Sequence, residues 1–571
     1  MSGTANAGLI WAIAELLRGD YRPAEYGKVV LPFTLLRRLD CVLAPTKAAV
    51  LNEYEKRRDF GIDPSFFLTS ASGFSFYNTS KFDFEKLVAA SSDIKANLLD
   101  YINGFSENTR DIFERYEFAA QIERLDNANL LFLIVQKFEA TDLSPEAVSN
   151  ADMGLMFEEL IRKFAELSNE TAGDHYTPRE VIRLMVDLLF DTDSEVLSKP
   201  GVVRSIYDPA AGTGGMLSVA EDHLRGQNPK AKMVAFGQEL NGESYAICKA
   251  DMLIKGQDVD NVVWGNTLSN DGHATRSFDY LLSNPPFGVE WKKIETPIRN
   301  EHVHKGHAGR FGAGLPRVSD GSLLFLMHLL AKMKPSDQGG SRVAVVLNGS
   351  PLFTGSAGSG ESNIRKWVIE NDWLEAIIAL PTDMFYNTGI STYIWVLSNH
   401  KSEERRGKIQ LVNAVDWYRK MRKSLGSKRR ELGPDDIARI VRLYGGMTEN
   451  EHSKLFDNSD FGYRTITVER PLLKANGEIE RDKKGQPKAD ASLRDTENVP
   501  LKEDVQAYFE REVLPHVPDA WIDESKTKIG YEIPFTRHFY QYTPPRPLEA
   551  IDADLKAVNA EIMQLLQEVT A

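Results

Sequence analysis

Apolar positions recur at helical spacing through the first 165 residues. Leu9, Ala12, Ile13, Leu16 and Leu17 form one stripe, and Val29, Val30, Phe33, Leu36 and Leu39 form a second. Gly19-Asp20 and Arg22-Pro23 punctuate the chain between them. The pattern predicts an N-terminal helical domain over residues 1–165, and a packed core accounts for nearly all of its apolar residues.

Beyond about residue 200 the period changes. Short β-branched or apolar runs occur at 203–208, 232–240, 261–265, 278–284, 341–348, 374–380 and 391–398. Amphipathic segments such as MLSVAEDHL, ESYAICKADMLI, SLLFLMHLLAKM and NIRKWVIEN separate most of them. Strand and helix in alternation predict an α/β domain, a doubly wound, Rossmann-like and mostly parallel sheet with helices on both faces. The last two runs are joined by LPTDMFYNTGI, too short for a crossover helix, and are expected to pair antiparallel at one edge.

Three later segments break the alternation. Residues 401–430 hold eleven Lys and Arg against three acids, which suits either a solvated helix face or a contact to a nucleic-acid backbone. Residues 474–499 are polar and read as a flexible linker or hairpin. Near the end, Leu548, Ile551, Leu555, Val558, Ile562, Leu565 and Val569 alternate spacings of three and four, a coiled-coil seam for a partner helix or for the chain's own body. The expected division is a helical domain at 1–165, the α/β domain at 166–475, and a linker with a C-terminal helical tail at 476–571.

Charge and cysteine content narrow the classes. A net charge of −14 over 571 residues argues against a protein that grips nucleic acid across most of its surface, so any such contact is local or shared with a partner. Cys41 and Cys248 are too few for a disulfide framework or a four-cysteine zinc site. No apolar run is long enough to span a membrane, and the N-terminus lacks the basic start of a signal peptide, so a cytoplasmic protein is expected. His302, His304 and His307 sit in a glycine-containing stretch with no nearby Cys and are not expected to bind metal.

The chemistry concentrates at strand ends. DPAAGTGG follows the first strand and precedes a helix; it contains Asp208, Ala210, Gly212, Thr213, Gly214 and Gly215. Its glycines permit a tight turn and close approach to a ligand, and the helix N–H groups face the crevice. The spacing is neither that of a dinucleotide fingerprint nor of a P-loop. Glu239 ends the second strand, where an acid can accept ribose hydroxyls. Asn266 ends the third, either bonding an adenine edge or capping its own turn.

Asn284-Pro285-Pro286-Phe287 stands at the carboxyl end of the fourth strand and supplies the catalytic candidates. The two prolines bring no N–H, so carbonyls dominate the turn. A nucleobase amine is a poor nucleophile because its lone pair is conjugated into the ring. The Asn284 oxygen and the Pro285 carbonyl can each accept one amine hydrogen, drawing the nitrogen toward tetrahedral geometry and its lone pair toward the methyl of a sulfonium donor. Phe287 offers a flat face to a base removed from the duplex.

In this order, DPAAGTGG, Glu239 and NPPF resemble the amino-methyltransferases that act on adenine in DNA. HYTPREVIRLMV (175–186) resembles the donor-binding motif that leads the catalytic domain of type I modification subunits. That resemblance implies S-adenosylmethionine as cofactor, with Tyr176, Thr177 and Pro178 around its methionine part and His175, Arg179 and Glu180 flanking them. IWAIAELLRGDYRPAEYGKVVLPFTLLRRL and GYEIPFTRHFYQYTPPRPLEAI resemble the two ends of the same subunits, so the likeness spans nearly the whole chain. One departure is Ala211, where relatives often have Cys. The family further implies double-stranded DNA with a flipped adenine, a second modification subunit, a specificity subunit packed on the terminal helix, and restriction subunits. Residues 291–317 are expected to form a mobile loop over the flipped base. Asn before Pro-Pro leans away from cytosine, the chain's length leans away from glutamine-modifying enzymes, and a scaffold without activity would need none of these residues.

Overall fold

In the computed structural model, residues 13, 15–61, 63–167, 177–191, 193–540, 542 and 546–570 are described. The seven apolar runs become β1 (Val203–Asp208), β2 (Lys232–Glu239), β3 (Val262–Trp264), β4 (Tyr280–Ser283), β5 (Arg342–Asn348), β6 (Leu374–Ala379) and β7 (Thr392–Ser398). They continue into β8 (Lys408–Asn413), a separate hairpin of β9 (Arg419–Leu425) and β10 (Lys428–Glu431), and β11 (Ser453–Asp457). One nine-stranded sheet results, in the order β11-β8-β6-β7-β5-β4-β1-β2-β3.

From β3 to β5 every pairing is parallel. The helices Gly215–Gln227 and Gly242–Ile254 form the first two crossovers, and Ser322–Ala331 precedes β5. The buried run Val343–Leu347 in β5 is apolar because both faces of a parallel sheet are covered. Winding reverses between β1, which leads to β2 on one side, and its other neighbour β4. A crevice therefore opens at the carboxyl ends of β1 and β4.

β6 and β7 pair antiparallel as expected, but not at an edge. β7 is inserted between β5 and β6 and bonded on both sides, and β8 and β11 extend the sheet beyond β6. The strand β8, KIQLVN, lay hidden inside the basic run. That run holds strands rather than a helix face: β8, β9 and β10 account for most of it.

The helical part includes Gly27–Leu43, Ile94–Asn103, Phe118–Asn127 and Leu131–Glu139. Val29, Val30, Phe33, Leu36 and Leu39 are all buried, and Phe33 meets Phe118 edge-on at 4.9 Å and stacks on Phe138 at 5.4 Å. Leu9 and Ala12 lie outside the described residues. A single hydrophobic cluster joins these helices to the sheet, from Ile13 through Phe113 and Cys248 to Tyr444. Polar ties reinforce it: the Tyr245 hydroxyl donates to Asp111 at 2.7 Å, and Lys249 Nζ lies 3.3 Å from the same carboxylate.

Residues 476–533, expected as part of a linker and helical tail, are more structured than that, and they fold with a strand from the end of the expected α/β domain. β12 (Gly462–Glu469), β13 (Asp495–Pro500) and β14 (Trp521–Tyr531) form an antiparallel sheet with β12 central, over Ile466, Val468, Val499, Phe509 and Val513. Between β12 and β13, bridges Pro471↔Ala489, Leu473↔Ile479 and Arg481↔Pro487 make the polar stretch a folded-back ladder. Residues 291–317 also depart from expectation. They hold the helix Glu295–Lys305, and Arg310 anchors them through Glu301 at 2.7 Å and the carbonyls of Thr267 and Leu268 at 2.8 and 2.9 Å.

The chain divides into two compact units, Met1–Ile533 and Pro534–Ala571. The second carries the helix Leu548–Thr570. Along its predicted seam Leu548, Ile551, Leu555, Val558, Ile562 and Leu565 are exposed; the side chain of Val569 lies outside the described residues. Among the described residues, no helix is long and apolar enough to cross a membrane.

Candidate active site

At the end of β1 the backbone carbonyl of Ala211 accepts the N–H of Gly214 at 2.8 Å, closing a tight turn into the helix Gly215–Gln227. Gly214 has φ +82°, and a Cβ there would stand 2.7 Å from Cys248 Sγ, so both conformation and space demand glycine. Opposite, Gly237 passes Ala211 so closely that its own Cβ would be 3.1 Å from the Ala211 Cβ. The small side chain at 211 therefore matches a close approach of loop and strand.

Two acids flank this turn. Glu239, at the end of β2, is buried; its Oε2 accepts the Gly212 N–H at 2.8 Å and its Oε1 the Asn241 N–H at 2.7 Å. Asp208 is deeper. Its Oδ1 accepts the Ala210 N–H and the Ser283 hydroxyl, each at 3.0 Å. Burial pushes the Asp208 carboxyl up to about 7, and the nearby Glu239 charge adds to the rise, against those two hydrogen bonds.

Asn284 follows β4. Its Nδ2 donates to Thr177 Oγ1 at 3.0 Å, while its Oδ1 is buried and has no hydrogen-bond partner among the described residues. A buried amide oxygen without a donor is costly. Phe287, three residues on, packs edge-to-face with Phe385 at 5.7 Å.

These elements enclose one cavity of about 950 Å³ at the switch point, within the size range of small-molecule sites. Its lining includes Thr177, Arg179, Asp208, Ala210, Gly212, Thr213, Gly215, Glu239, Asn266 and all of Asn284, Pro285, Pro286 and Phe287. Thus the glycine turn, the acid after β2 and the Asn-Pro-Pro-Phe turn converge although they are spread over 80 residues of chain. Asn266 lines the wall while its oxygen caps the backbone N–H of Leu268 and Ser269 at 3.0 and 3.2 Å.

Three predicted residues stand away from the lining. Gly214 shapes the turn from behind. Pro178 starts the helix Arg179–Asp191, its carbonyl accepting from Val181 and Ile182. Glu180 is taken by the buried Lys428 of β10. His175 and Tyr176 lie outside the described residues. Conversely, Asn348 at the end of β5 and Asn387, Thr388 and Ile390 from the β6–β7 loop join the wall unannounced. The strand-end rule, extended to β5, would have found Asn348. Ile161, contributed by the helix Asn150–Leu167, carried no signal.

Fold and strand-end chemistry together define a methyltransferase. Residues 148–461 match the N-6 DNA Methylase family, more than half of the chain, and the protein belongs to that family. Residues 7–138 match the HsdM N-terminal domain. The chain is 25% identical over 451 residues to the methylase subunit of the type I restriction enzyme MjaIX of Methanocaldococcus jannaschii, covering 76% of this chain and 75% of that one. With the MjaVII methylase subunit of the same organism it shares 29% over 356 residues, 61% of this chain and 57% of that one. The crystal structure of a type I restriction-modification methyltransferase subunit from Streptococcus thermophilus has the same fold, with a TM-score of 0.62 at 22% identity over 80% of this chain and 96% of that one.

Proposed function

We propose that this protein transfers a methyl group from S-adenosylmethionine to the exocyclic N6 amine of adenine in DNA, as the modification subunit of a type I restriction–modification complex. The observation that carries this is Asn284, whose amide nitrogen is held by Thr177 while its buried oxygen has no donor among the described residues. An adenine amine is the missing donor.

The cavity suits the proposed cofactor. Glu239 presents a fixed carboxylate at a strand end with lone pairs left for ribose hydroxyls, and the turn around Gly212 and Thr213 allows a ligand to approach the backbone. When bound, S-adenosylmethionine supplies a methyl group activated by a sulfonium centre. The protein's own task is positioning and charge placement. Asn284 Oδ1 and the Pro285 carbonyl accept the two amine hydrogens, turning the nitrogen lone pair out of conjugation. Phe287 stacks on the extruded base, and Phe385 holds that ring in place. As the nitrogen–methyl bond forms and the methyl–sulfur bond breaks, the nitrogen becomes cationic and acidic and its proton passes to solvent, so no strong base is needed.

The same proposal assigns the partners. A specificity subunit reads the DNA sequence, two modification subunits join it, and restriction subunits add to that core in the cytoplasm. The net charge of −14 supports a chain that leaves most DNA contact to a partner, and the uncovered seam of Leu548–Thr570 supports a helical docking site.

The test is to incubate the full chain and specificity subunit with duplex DNA and methyl-labelled donor, then analyse the nucleosides by mass. N6-methyladenine is expected. Label on cytosine, or on protein alone, would overturn the proposal.

A further inference from the structure

The hairpin β9–β10 concentrates positive charge on a chain that is −14 overall. Lys420, Arg422, Lys423 and Arg429 are exposed, and among the described residues none of them forms an ion pair; elsewhere in the hairpin, Arg419 pairs with exposed Asp435 at 3.2 Å and buried Lys428 pairs with Glu180. Arg430 stands directly across from Lys420 in the ladder, a like-charge pair that costs stability in a two-stranded ribbon. An isolated ribbon with this charge is a poor structural element. It suits a surface made for anions.

Its attachment is specific. The Ser427 N–H donates to the Tyr386 carbonyl at 2.8 Å, and the N–H groups of Arg429 and Arg430 donate to the Asp383 carbonyl at 2.9 and 3.2 Å. Arg430 also reaches Thr382 Oγ1 at 2.9 Å, and Gly426 leaves no room for a Cβ beside the Tyr386 carbonyl. Buried Lys428 pairs with Glu180 and donates to the Met384 carbonyl at 3.3 Å. Apart from the Glu180 pair, these bonds go to one loop, which also packs Phe385 on Phe287 and lends Asn387, Thr388 and Ile390 to the cavity wall. Cations and base pocket thus share one scaffold.

We infer that the hairpin Arg419–Glu431 is a DNA-backbone grip, in which Lys420, Arg422, Lys423 and Arg429 neutralise phosphates beside the adenine to be methylated. Duplex DNA presents about one negative charge per 1.7 Å, so a short ribbon with four unpaired cations lies within reach of several phosphates wherever it meets the backbone. Such contacts fix the position of the duplex without reading its sequence, which agrees with sequence choice lying in a partner. This role rests on DNA being the methyl acceptor, as proposed above.

The experiment compares the full chain in its complex with a Lys420→Ala, Arg422→Ala, Lys423→Ala, Arg429→Ala variant, measuring duplex binding across a salt series. The slope of log K against log salt is expected to become shallower by about 0.9 for each phosphate that is no longer neutralised, with affinity down on the order of 10-fold or more at moderate salt. Donor binding, read by calorimetry, stays unchanged. A variant that exchanges Lys and Arg at the four positions keeps slope and affinity, which a merely structural role would not predict. An unaltered slope in the alanine variant overturns the inference, as does loss of subunit association with DNA binding intact, which would make the ribbon a protein-docking surface. Methyl transfer by the unaltered complex reports separately on the parent proposal; if that complex neither methylates nor binds duplex DNA, both fall.

Discussion

Thr177 Oγ1 lies 3.0 Å from Asn284 Nδ2, although 107 residues separate them in the chain. In the proposed reaction this bond decides which end of the amide faces the base: with the nitrogen held, the oxygen is left to accept. Thr177→Val keeps the shape and removes the acceptor, so the amide is free to turn its NH2 toward the adenine amine. One neutral hydrogen bond is worth about 0.5–1.5 kcal/mol, so kcat is expected to fall roughly 3- to 10-fold. Thr177→Ser restores it. Steady-state kinetics on the assembled complex check this.

Asn284→Ala removes the acceptor itself. Loss of one preorganised polar group of this kind costs about 10²–10³ in kcat. Donor binding and assembly are expected to persist. Substantial remaining transfer would place the catalytic group elsewhere.

Glu239→Gln sets an NH2 group against one of two backbone donors, Gly212 N–H at 2.8 Å or Asn241 N–H at 2.7 Å. A donor facing a donor in a buried site costs about 1–3 kcal/mol of stability, and loss of the charge removes a ribose hydrogen bond worth about 1.5–3 kcal/mol, so the cofactor Kd is expected to weaken on the order of 10- to 100-fold. Calorimetric titration of the variant measures it. Because the glycine turn hangs on this carboxylate, melting should also shift downward.

Asp208 makes stability depend on pH in an unusual sense. Its carboxyl is pushed up to about 7 from an ordinary 3.8, so between those values it is protonated in the folded chain and ionised in the unfolded one. Unfolding then releases a proton, and this group's contribution to stability declines as pH rises from about 4 to about 7. Asp208→Asn mimics the neutral form. The stability of that variant relative to the parent is expected to improve steadily across the window in denaturant titrations; a flat difference would contradict it.

Leu555→Glu with Ile562→Glu places two charges in the exposed seam of Leu548–Thr570. Helix-to-helix docking buries such positions, so co-elution with the specificity subunit proposed as partner should be lost. The melting of the isolated chain should hold. Light scattering after size exclusion separates the two outcomes.

Much of the sheet was legible because the runs forming β4, β5 and β6 are buried and largely apolar on both faces and are bounded by turn residues. The position of β7 was not, because pairing partners depend on β8, whose short apolar core is masked by flanking Lys and Arg. At the site, residues were recognisable where chemistry attaches to a strand end, as at Glu239 and Asn284. Relationships between distant residues were hidden. Lys428 resembles its neighbours Arg429 and Arg430 in sequence, yet it is buried against Glu180 while they lie at the surface or partly so. Asn266 was open to two uses; its oxygen accepts from the N–H groups of Leu268 and Ser269 while the residue also lines the cavity wall.

The hydrophobic cluster that passes without a break from Phe113 to Cys248 has a practical corollary. The helix Gly242–Ile254 is buried along nearly its whole length, with Asp111 meeting Tyr245 and Lys249 at one end. A fragment cut near residue 165 would bare that helix to water and leave Lys249 and Tyr245 without their carboxylate. Chimeras between related subunits should therefore exchange the opening helices together with this crossover, or exchange neither.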